Sequence, residues 1–372
     1  MNVSLQQELL LNRLKVAGRI LTNKRIALLD DNFLRVIQKN GAMYLISAGA
    51  GHCLMQEVVS SSEIAVGEQE PKELCIAYSK FLAPVSELSE EVNISMNEES
   101  LKVESGTIQV SFNGYKGETL LGLLHEMQGR LNKVKTEGVK LARKEFVDTL
   151  TYLHGLRDKE AEGDLQDVYI TPEKSFVASE RFAVRMDYSI PVGFGANRDT
   201  SDVLMHLLSM SEEEEFHIML EGNTLYVAVG EDLYQTNSVN TQIKKVNDLF
   251  QEFRADVSFP MVKSEFVRFV RLATFFTESD EDILLTVSEG KGSIQSDGDG
   301  GSGGASNGTF AVSENVQDLE ITVNGEDVLR VFSGLGSGAG QEIDLKLALE
   351  AELGYFRHNK GDCILSIRNL EM

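Results

Sequence analysis

Histidines and cysteines are the residue types in this chain best suited to catalysis or metal binding, and their spacing supports neither. His52, His125, His154, His206, His217 and His358 show no metal-ligand spacing, and none stands beside a cysteine pair. His217 falls in an alternating strand-like run and His206 in a helical one, which suits packing or surface roles. Gly334-Leu-Gly-Ser-Gly-Ala-Gly has the glycine content of a phosphate loop. It follows a helical stretch and precedes a strand, the reverse of the order that aims a helix N-terminus at phosphate, and reads better as a turn. Asp297-Gly-Asp-Gly-Gly hints at a calcium loop, but Gly308 stands where the bidentate acid is required, and the segment from Gly298 to Gly308 is better explained as a hairpin loop. The acidic runs Glu212-Glu-Glu-Glu and Glu278-Ser-Asp-Glu-Asp read as solvated turns. No acid–base pair, metal site or cofactor site emerges, which points away from an enzyme.

The cations carry more information. The chain holds 58 acidic against 35 basic residues, a net charge of −23, which taken alone disfavours phosphate contact. Binding depends on where the cations lie rather than on their sum. They cluster on the helical stretches: Arg13, Lys15 and Arg19, with Lys24 and Arg25 just beyond; Lys140, Arg143 and Lys144; and Lys263, Arg268 and Arg271. Lys80, Arg198 and Arg330 add one each from a second set of helices. The turns between strands are mostly acidic. Solvation of amphipathic helices explains each cluster separately; a shared basic surface explains why the bias recurs. Lys and Arg without interleaved aromatics suit sequence-independent phosphate contact.

The elements that must position these cations recur three times. An amphipathic helix, an acidic run and a strand that restarts after a tight turn appear at Phe81–Gly106, at Val203–Gly230 and, more loosely, at Val328–Phe356. Ile94, Ile218 and Leu345 are equivalent positions, 124 and 127 residues apart in a chain of 372. Each unit holds two half-repeats of one helix followed by strands. Leu5–Ala17, Ser79–Leu88, Lys144–Leu156 and Lys263–Thr274 have helical periodicity, and Asn40-Gly41 between two apolar runs signals a hairpin. Glu118–Val134 and Thr241–Phe253 read as helical connectors that either bridge neighbouring domains or pack on one.

Composition agrees with three globular domains. The 42% hydrophobic content supports a core throughout, and no apolar run approaches the ~20 residues of a membrane helix. The start of the chain lacks signal-peptide features, and Cys53, Cys75 and Cys363 are odd in number and set in apolar runs, as expected of buried thiols in a reducing cytoplasm. The expected fold class is α+β, with antiparallel sheets and domains over residues 1–117, 118–256 and 257–372. The second includes the first connector and ends with the other, about 241–253.

Several stretches resemble the bacterial DNA polymerase III beta-type sliding clamp. Glu73-Leu-Cys-Ile-Ala-Tyr-Ser-Lys-Phe-Leu through Leu101-Lys-Val-Glu-Ser-Gly-Thr-Ile-Gln-Val-Ser-Phe is similar to the second half of that family's first domain. Ser175-Phe-Val-Ala-Ser-Glu-Arg-Phe-Ala-Val-Arg-Met resembles its segment Thr-Asp-Gly-His-Arg-Leu-Ala-Val, and Leu319-Glu-Ile-Thr-Val-Asn-Gly-Glu-Asp-Val-Leu-Arg-Val-Phe its approach to the last helix. The resemblance covers nearly the full chain. It implies three tandem clamp-type domains, each with two helices packed on antiparallel sheets, in a head-to-tail dimer that closes as a ring. The ring would encircle double-stranded DNA, take its place through a clamp loader and tether a DNA polymerase in the bacterial cytoplasm. A ring serving mainly as a platform for transcription or repair proteins is the alternative.

The resemblance also implies a groove for a partner peptide. Arg181 and Phe182 fall on the family's Arg-Leu, Leu165 on a groove leucine and Val177 on a threonine, with Ile364 and Ile367 near groove positions. Ser179-Glu180 departs from the usual Gly-His, the chain ends Asn-Leu-Glu-Met instead of Pro-Met-Arg, and helical connectors replace extended linkers. A phage replisome is one setting in which such divergence would arise.

Overall fold

The computed structural model describes residues 2–23, 33–59, 71–89, 91–116, 120–157, 167–239, 243–277, 282–296, 307–312, 316, 318–333, 341–358 and 360–370. Among them the order strand, helix, three strands occurs six times. The first pass is β1 (Asn2–Gln6), α1 (Gln7–Leu21), β2 (Phe33–Lys39), β3 (Ala42–Gly49) and β4 (His52–Val59); the second is β5 (Lys72–Ala77), α2 (Tyr78–Ser86), β6 (Glu91–Met96), β7 (Ser100–Ser105) and β8 (Ile108–Asn113). A connector, α3 (Leu120–Glu137), leads to β9 (Val139–Ala142), α4 (Arg143–Leu156), β10 (Val168–Ile170), β11 (Ser175–Ala178) and β12 (Phe182–Met186). The fourth pass is β13 (Phe194–Ala196), α5 (Arg198–Ser209), β14 (Glu215–Glu221), β15 (Thr224–Val229) and β16 (Asp232–Asn237), followed by the connector α6 (Ile243–Glu252). The fifth is β17 (Val257–Val262), α7 (Lys263–Thr274), β18 (Asp282–Ser288), β19 (Lys291–Ser296) and β20 (Asn307–Ala311). The last is β21 (Leu319–Asn324), α8 (Gly325–Ser333), β22 (Glu342–Ala348), β23 (Leu353–His358) and β24 (Gly361–Ser366), with β25 (Arg368–Asn369) after it.

Within each pair of passes the leading strands change places. β1 joins β6–β7–β8 and β5 joins β2–β3–β4, and the same exchange occurs between β9 and β13 and between β17 and β21. Among the described residues the strand pairs with a defined register are antiparallel, and the repeat holds to the residue. Ile94 pairs with Val3, Ile218 with Val139 and Leu345 with Phe259. Each of those three partners stands four positions before its helix begins, at Gln7, Arg143 and Lys263.

Two pairs of four-stranded sets merge edge to edge. β4 pairs with β16, making the eight-stranded sheet β5-β2-β3-β4-β16-β15-β14-β9, and β12 pairs with β24, making β13-β10-β11-β12-β24-β23-β22-β17. Packing gathers the chain into two compact units. One comprises residues 1–148 and 196–240, the other 149–195 and 241–372, so each takes part of the segment 118–256.

In the first unit α1 presents Leu10, Leu14, Ala17 and Leu21, one stripe at helical spacing, to a core shared with Phe81, Val92, Ile94 and Leu101. A Cβ at Gly18 would collide with Tyr78, whose hydroxyl donates to the Leu14 carbonyl at 2.9 Å, so the glycine sets the approach of α2 to α1. Asn40 (φ 48°) and Gly41 (φ 86°) make the predicted β2–β3 hairpin, whose turn needs positive φ at both positions. In the second unit Phe332 of α8 stacks on Phe356 and meets Phe266 of α7 edge-on.

The connectors each lie across one seam. Leu124, Met127, Leu131 and Val134 of α3 pack on Ile37, Tyr44, Ile46 and Met55 on one side and on Tyr226, Ala228 and Leu233 on the other. α6 sets Val246, Leu249, Phe250 and Phe253 against Ala178, Ala183, Tyr355 and Ile364. Bridging, rather than packing on one set of strands, is the arrangement both adopt.

Candidate functional sites

The cations predicted to meet DNA divide by what already holds them. Arg13 on α1 forms an ion pair with the buried Asp232 of β16, and burial lowers its pKa against the raising influence of Glu57. Arg19 reaches Asp202 at 3.3 Å and also touches His206, both on α5. Lys140 pairs with Glu215 at 2.5 Å, across the β9–β14 ladder. Arg143 donates to the Leu208 carbonyl at 2.9 Å and to that of Glu213, which fastens the start of α4 to the acidic turn before β14. Lys263 is buried with its ammonium 6.0 Å from the Phe332 ring centroid, and burial, assisted by Lys360, lowers its pKa. Arg330 lies 3.8 Å from Asp327. Among the described residues, Lys15, Lys80, Lys144, Arg198, Arg268 and Arg271 stand exposed on α1, α2, α4, α5 and α7 with no ion-pair partner. Lys24 and Arg25 lie outside the described residues.

The residues expected to line a peptide groove also divide. β12 pairs Ala183 with Ile364 and Phe182 with Leu365. Alternation along the strand therefore puts Phe182, Val184 and the paired Val177 on one face, and Ala183 with Ile364 on the other. Ile364 is buried beneath α6, while Val177 and Phe182 are core residues. Leu165 lies outside the described residues.

Arg181 and Ile367 do come together, in a pocket of about 210 Å³ within the second unit. The turn that carries Arg181 is shaped by Ser179, whose Oγ accepts from the amides of Arg181 (3.2 Å) and Phe182 (3.1 Å). The serine that departs from the clamp pattern thus has a local structural task. The Arg181 carbonyl accepts from Ser366 N at 2.7 Å, fixing the turn to the end of β24. Its guanidinium forms an ion pair with Asp327, Nε lying 2.9 Å from the carboxylate, and Asp327 lies in the first turn of α8, where helix N-termini favour acids.

Asn324, Asp327, Glu352, Leu365 and Arg368 complete most of the lining, and sequence reasoning nominated none of them. One signal was available. Asn324-Gly-Glu-Asp327 is an N-cap asparagine with an acid three residues on, which marks a helix start beside a strand end. Arg181, Arg368, Asp282, Asp327 and Glu352 line the pocket together with the apolar Val323, Leu365 and Ile367.

Solved structures resemble the whole chain. The beta subunit of DNA polymerase III from Thermotoga maritima matches with a TM-score of 0.75 over 100% of this chain and 99% of that one, at 10% identity. The DNA polymerase III subunit beta from Pseudomonas aeruginosa matches at 0.76 over 100% of both chains, with 14% identity. The Helicobacter pylori beta clamp matches at 0.75 over 100% of both, with 11% identity. No protein-family model matches the sequence, and no curated protein matches it. The chain has the three-domain α+β fold of the bacterial beta clamp from end to end.

Proposed function

We propose that this chain is a sliding clamp, a non-catalytic processivity factor that encircles duplex DNA and tethers a replicative polymerase. The full-length likeness of fold carries the reading. A rule of strand pairing supports the ring. The third strand after a helix pairs with its counterpart three passes later, β4 with β16 and β12 with β24. β20 and β8 are the two strands of this class that end a sheet among the described residues. Pairing β20 of one copy with β8 of a second would extend the rule and close two copies head to tail. Ile108 on β8 and Leu272 and Phe275 at the end of α7 are exposed apolar side chains at these two ends of the chain's sheets, suited to burial in such a contact.

Encirclement lets a strongly acidic protein stay on DNA without gripping it. Lys15, Lys80, Lys144, Arg198, Arg268 and Arg271 would then give loose, salt-sensitive phosphate contacts that permit sliding. Arg13, Arg19, Lys140, Arg143, Lys263 and Arg330 brace the protein itself. A clamp loader would open the ring, and the Arg181–Ile367 pocket would receive a peptide of the polymerase.

Sedimentation with and without closed circular DNA tests the proposal. A dimer retained on circular duplex and released when one cut linearises it is the expected result. A monomer at micromolar concentration, or equal retention on linear and circular DNA, would overturn the ring. Replacing the six exposed cations by glutamate should shorten retention on circular DNA, and unchanged retention would remove them from the DNA surface.

A further inference from the structure

We infer that the β4–β16 seam holds an internal water site beneath α1, built by Gln56, Ser47 and the guanidinium of Arg13. Strand register brings the three together. On β3 and β4, Leu45 pairs with Gln56 and Ser47 with Leu54, so alternation sets Leu45, Ser47, Leu54 and Gln56 on one face. Leu45 belongs to the core that α1 covers with Leu10, Leu14 and Ala17, which identifies that face as the one beneath the helix. Across the seam Leu233 pairs with Met55, which makes Asp232 of β16 the neighbour of Gln56. Asp232 accepts from the following amide, Glu57 N, at 3.1 Å, and Arg13 of α1 forms its ion pair with the same carboxylate.

Polar atoms in this layer outnumber their protein partners. Gln56 and Ser47 are each 1% exposed. Both ends of the Gln56 amide, the Ser47 hydroxyl and Arg13 Nε are buried and have no hydrogen-bond partner in the protein. A buried group left unpaired destabilises a fold, and four on neighbouring residues would cancel much of a domain's net stability. Their chemistry names what pairs them. Arg13 Nε and Gln56 Nε2 donate, Gln56 Oε1 accepts, and Ser47 Oγ does either. A ligand that serves this set accepts two hydrogen bonds and donates one or two, as a water molecule does. Arg13 and Asp232 already neutralise each other, so the site has no net charge with which to hold an ion. The water makes Gln56 a positioning residue for Arg13: it ties the guanidinium, and α1 with it, to the seam without a direct bond.

Gln56→Met keeps the length of the side chain and removes both of its polar ends, and the sign of its effect tests the site. Where water fills the layer, methionine expels it and leaves Arg13 Nε and Ser47 unpaired. The melting temperature of the full-length protein should then fall by about 2–4 °C. Water ¹⁷O relaxation dispersion should lose the amplitude of about one long-lived molecule. A dry layer gives the opposite result: methionine relieves an unpaired amide, the melting temperature rises and the dispersion is unchanged, which would overturn the water. A high-resolution crystal structure of the unaltered chain keeps the test open should the variant fail to fold. Solvent density within hydrogen-bond distance of the Gln56 amide and of Arg13 Nε is the expected result. An empty layer, a direct bond from Gln56 to Ser47 or Arg13, or a peak with the anomalous signal of a heavier ion would each overturn the proposal.

Discussion

The two seams solve one problem with different materials. Where β4 meets β16, an 18-residue helix, α3, covers the joint with four fully buried aliphatic and methionine side chains. Where β12 meets β24, the helix α6 has ten residues, and among the described side chains packed there from α6 and the next residue, Phe253, Phe250 is buried while Val246, Leu249 and Phe253 are half-covered. The second seam makes up the difference with charge. Asp362 on β24 has no exposed surface, and it receives Arg185 (2.6 and 2.9 Å), Arg357 (2.9 Å) and Tyr355 (2.8 Å), while Arg185 lies over the Phe250 ring at 4.4 Å. The first seam's buried Asp232 has a smaller circle: Arg13 from α1 and the amide of Glu57 at 3.1 Å. Apolar cover is indifferent to pH, whereas a satisfied buried carboxylate holds only while it stays ionised.

Breaking the second seam's charge should have the largest effect. Asp362→Ala strands the largely buried Arg185 and removes the acceptor of Tyr355 and Arg357, and should cost about 3–5 kcal/mol. Amide hydrogen exchange should accelerate through β12, β23 and β24. Asp232→Ala removes one ion pair and the acceptor of one amide, and should cost about 2 kcal/mol. Equal losses at the two aspartates would erase the contrast. Cover should rank the other way: Leu131→Ala in α3 empties a packed site and should cost about 3 kcal/mol. Leu249→Ala in α6 should cost about 1 kcal/mol, both read by urea denaturation.

Acid should separate the seams by pH. Burial pushes the Asp362 carboxyl up, but hydrogen bonds from Arg185 and Tyr355 and the charges of Arg185 and Arg357 outweigh it, so the net pKa is lowered. A lowered carboxyl adds stability above its unfolded value near 3.8 and loses it as pH falls through the folded value, so the second unit should hold until below about pH 4. At the first seam, His52 Nδ1 lies 2.6 Å from the Tyr234 hydroxyl and 3.2 Å from Thr236 Oγ1, and Thr236 meets Thr200 of α5 at 3.3 Å. Burial lowers the His52 pKa against the pull of Asp199. Its neutral form is the folded one, so its contribution is complete above the unfolded value near 6.5 and declines as pH falls toward the folded value. The opening free energy of β4 and β16, read from exchange rates corrected for their intrinsic pH dependence, should therefore fall as pH drops below about 6.5, and His52→Asn should flatten that fall. Glu57, whose pKa burial raises, acts oppositely in both proteins and cancels in their difference. The smallest effect belongs to the rim of α3, where Arg130 and Lys133 share the exposed Glu221. Glu221→Gln should leave the melting temperature unchanged at physiological salt.

What could be read from sequence follows the range of each interaction. Helix α7 spans Lys263–Thr274 as periodicity predicted, and the hairpin at Asn40-Gly41 and the equivalence of Ile94, Ile218 and Leu345 depend on short-range patterns. The seams were not legible: β4 and β16 are about 180 residues apart, and nothing in either run names the other as its partner. The same distance hid which cations were spent, because Asp232 and Asp202, which engage Arg13 and Arg19, come from remote segments. At the pocket, family likeness placed Arg181 and Ile367, but Ile364 falls on the opposite sheet face because strand alternation decides it. Asn324 and Asp327 carry the signal of a helix start, and that signal does not name them as lining of a pocket.

The β12–β24 pairing also sets a schedule for the ribosome. Met186 is bonded in register to Gly361, which is made 175 residues later. At about 5–20 residues per second, β12 waits roughly 10–35 s for its neighbour. The first unit has all its strands once residue 240 has emerged. Residues 149–195, already synthesised between its two segments, must remain unsatisfied until the last stretch of the chain leaves the tunnel. Termination before β24 would thus damage a region laid down well before it in translation, and nascent chains arrested there should be the ones that chaperones hold.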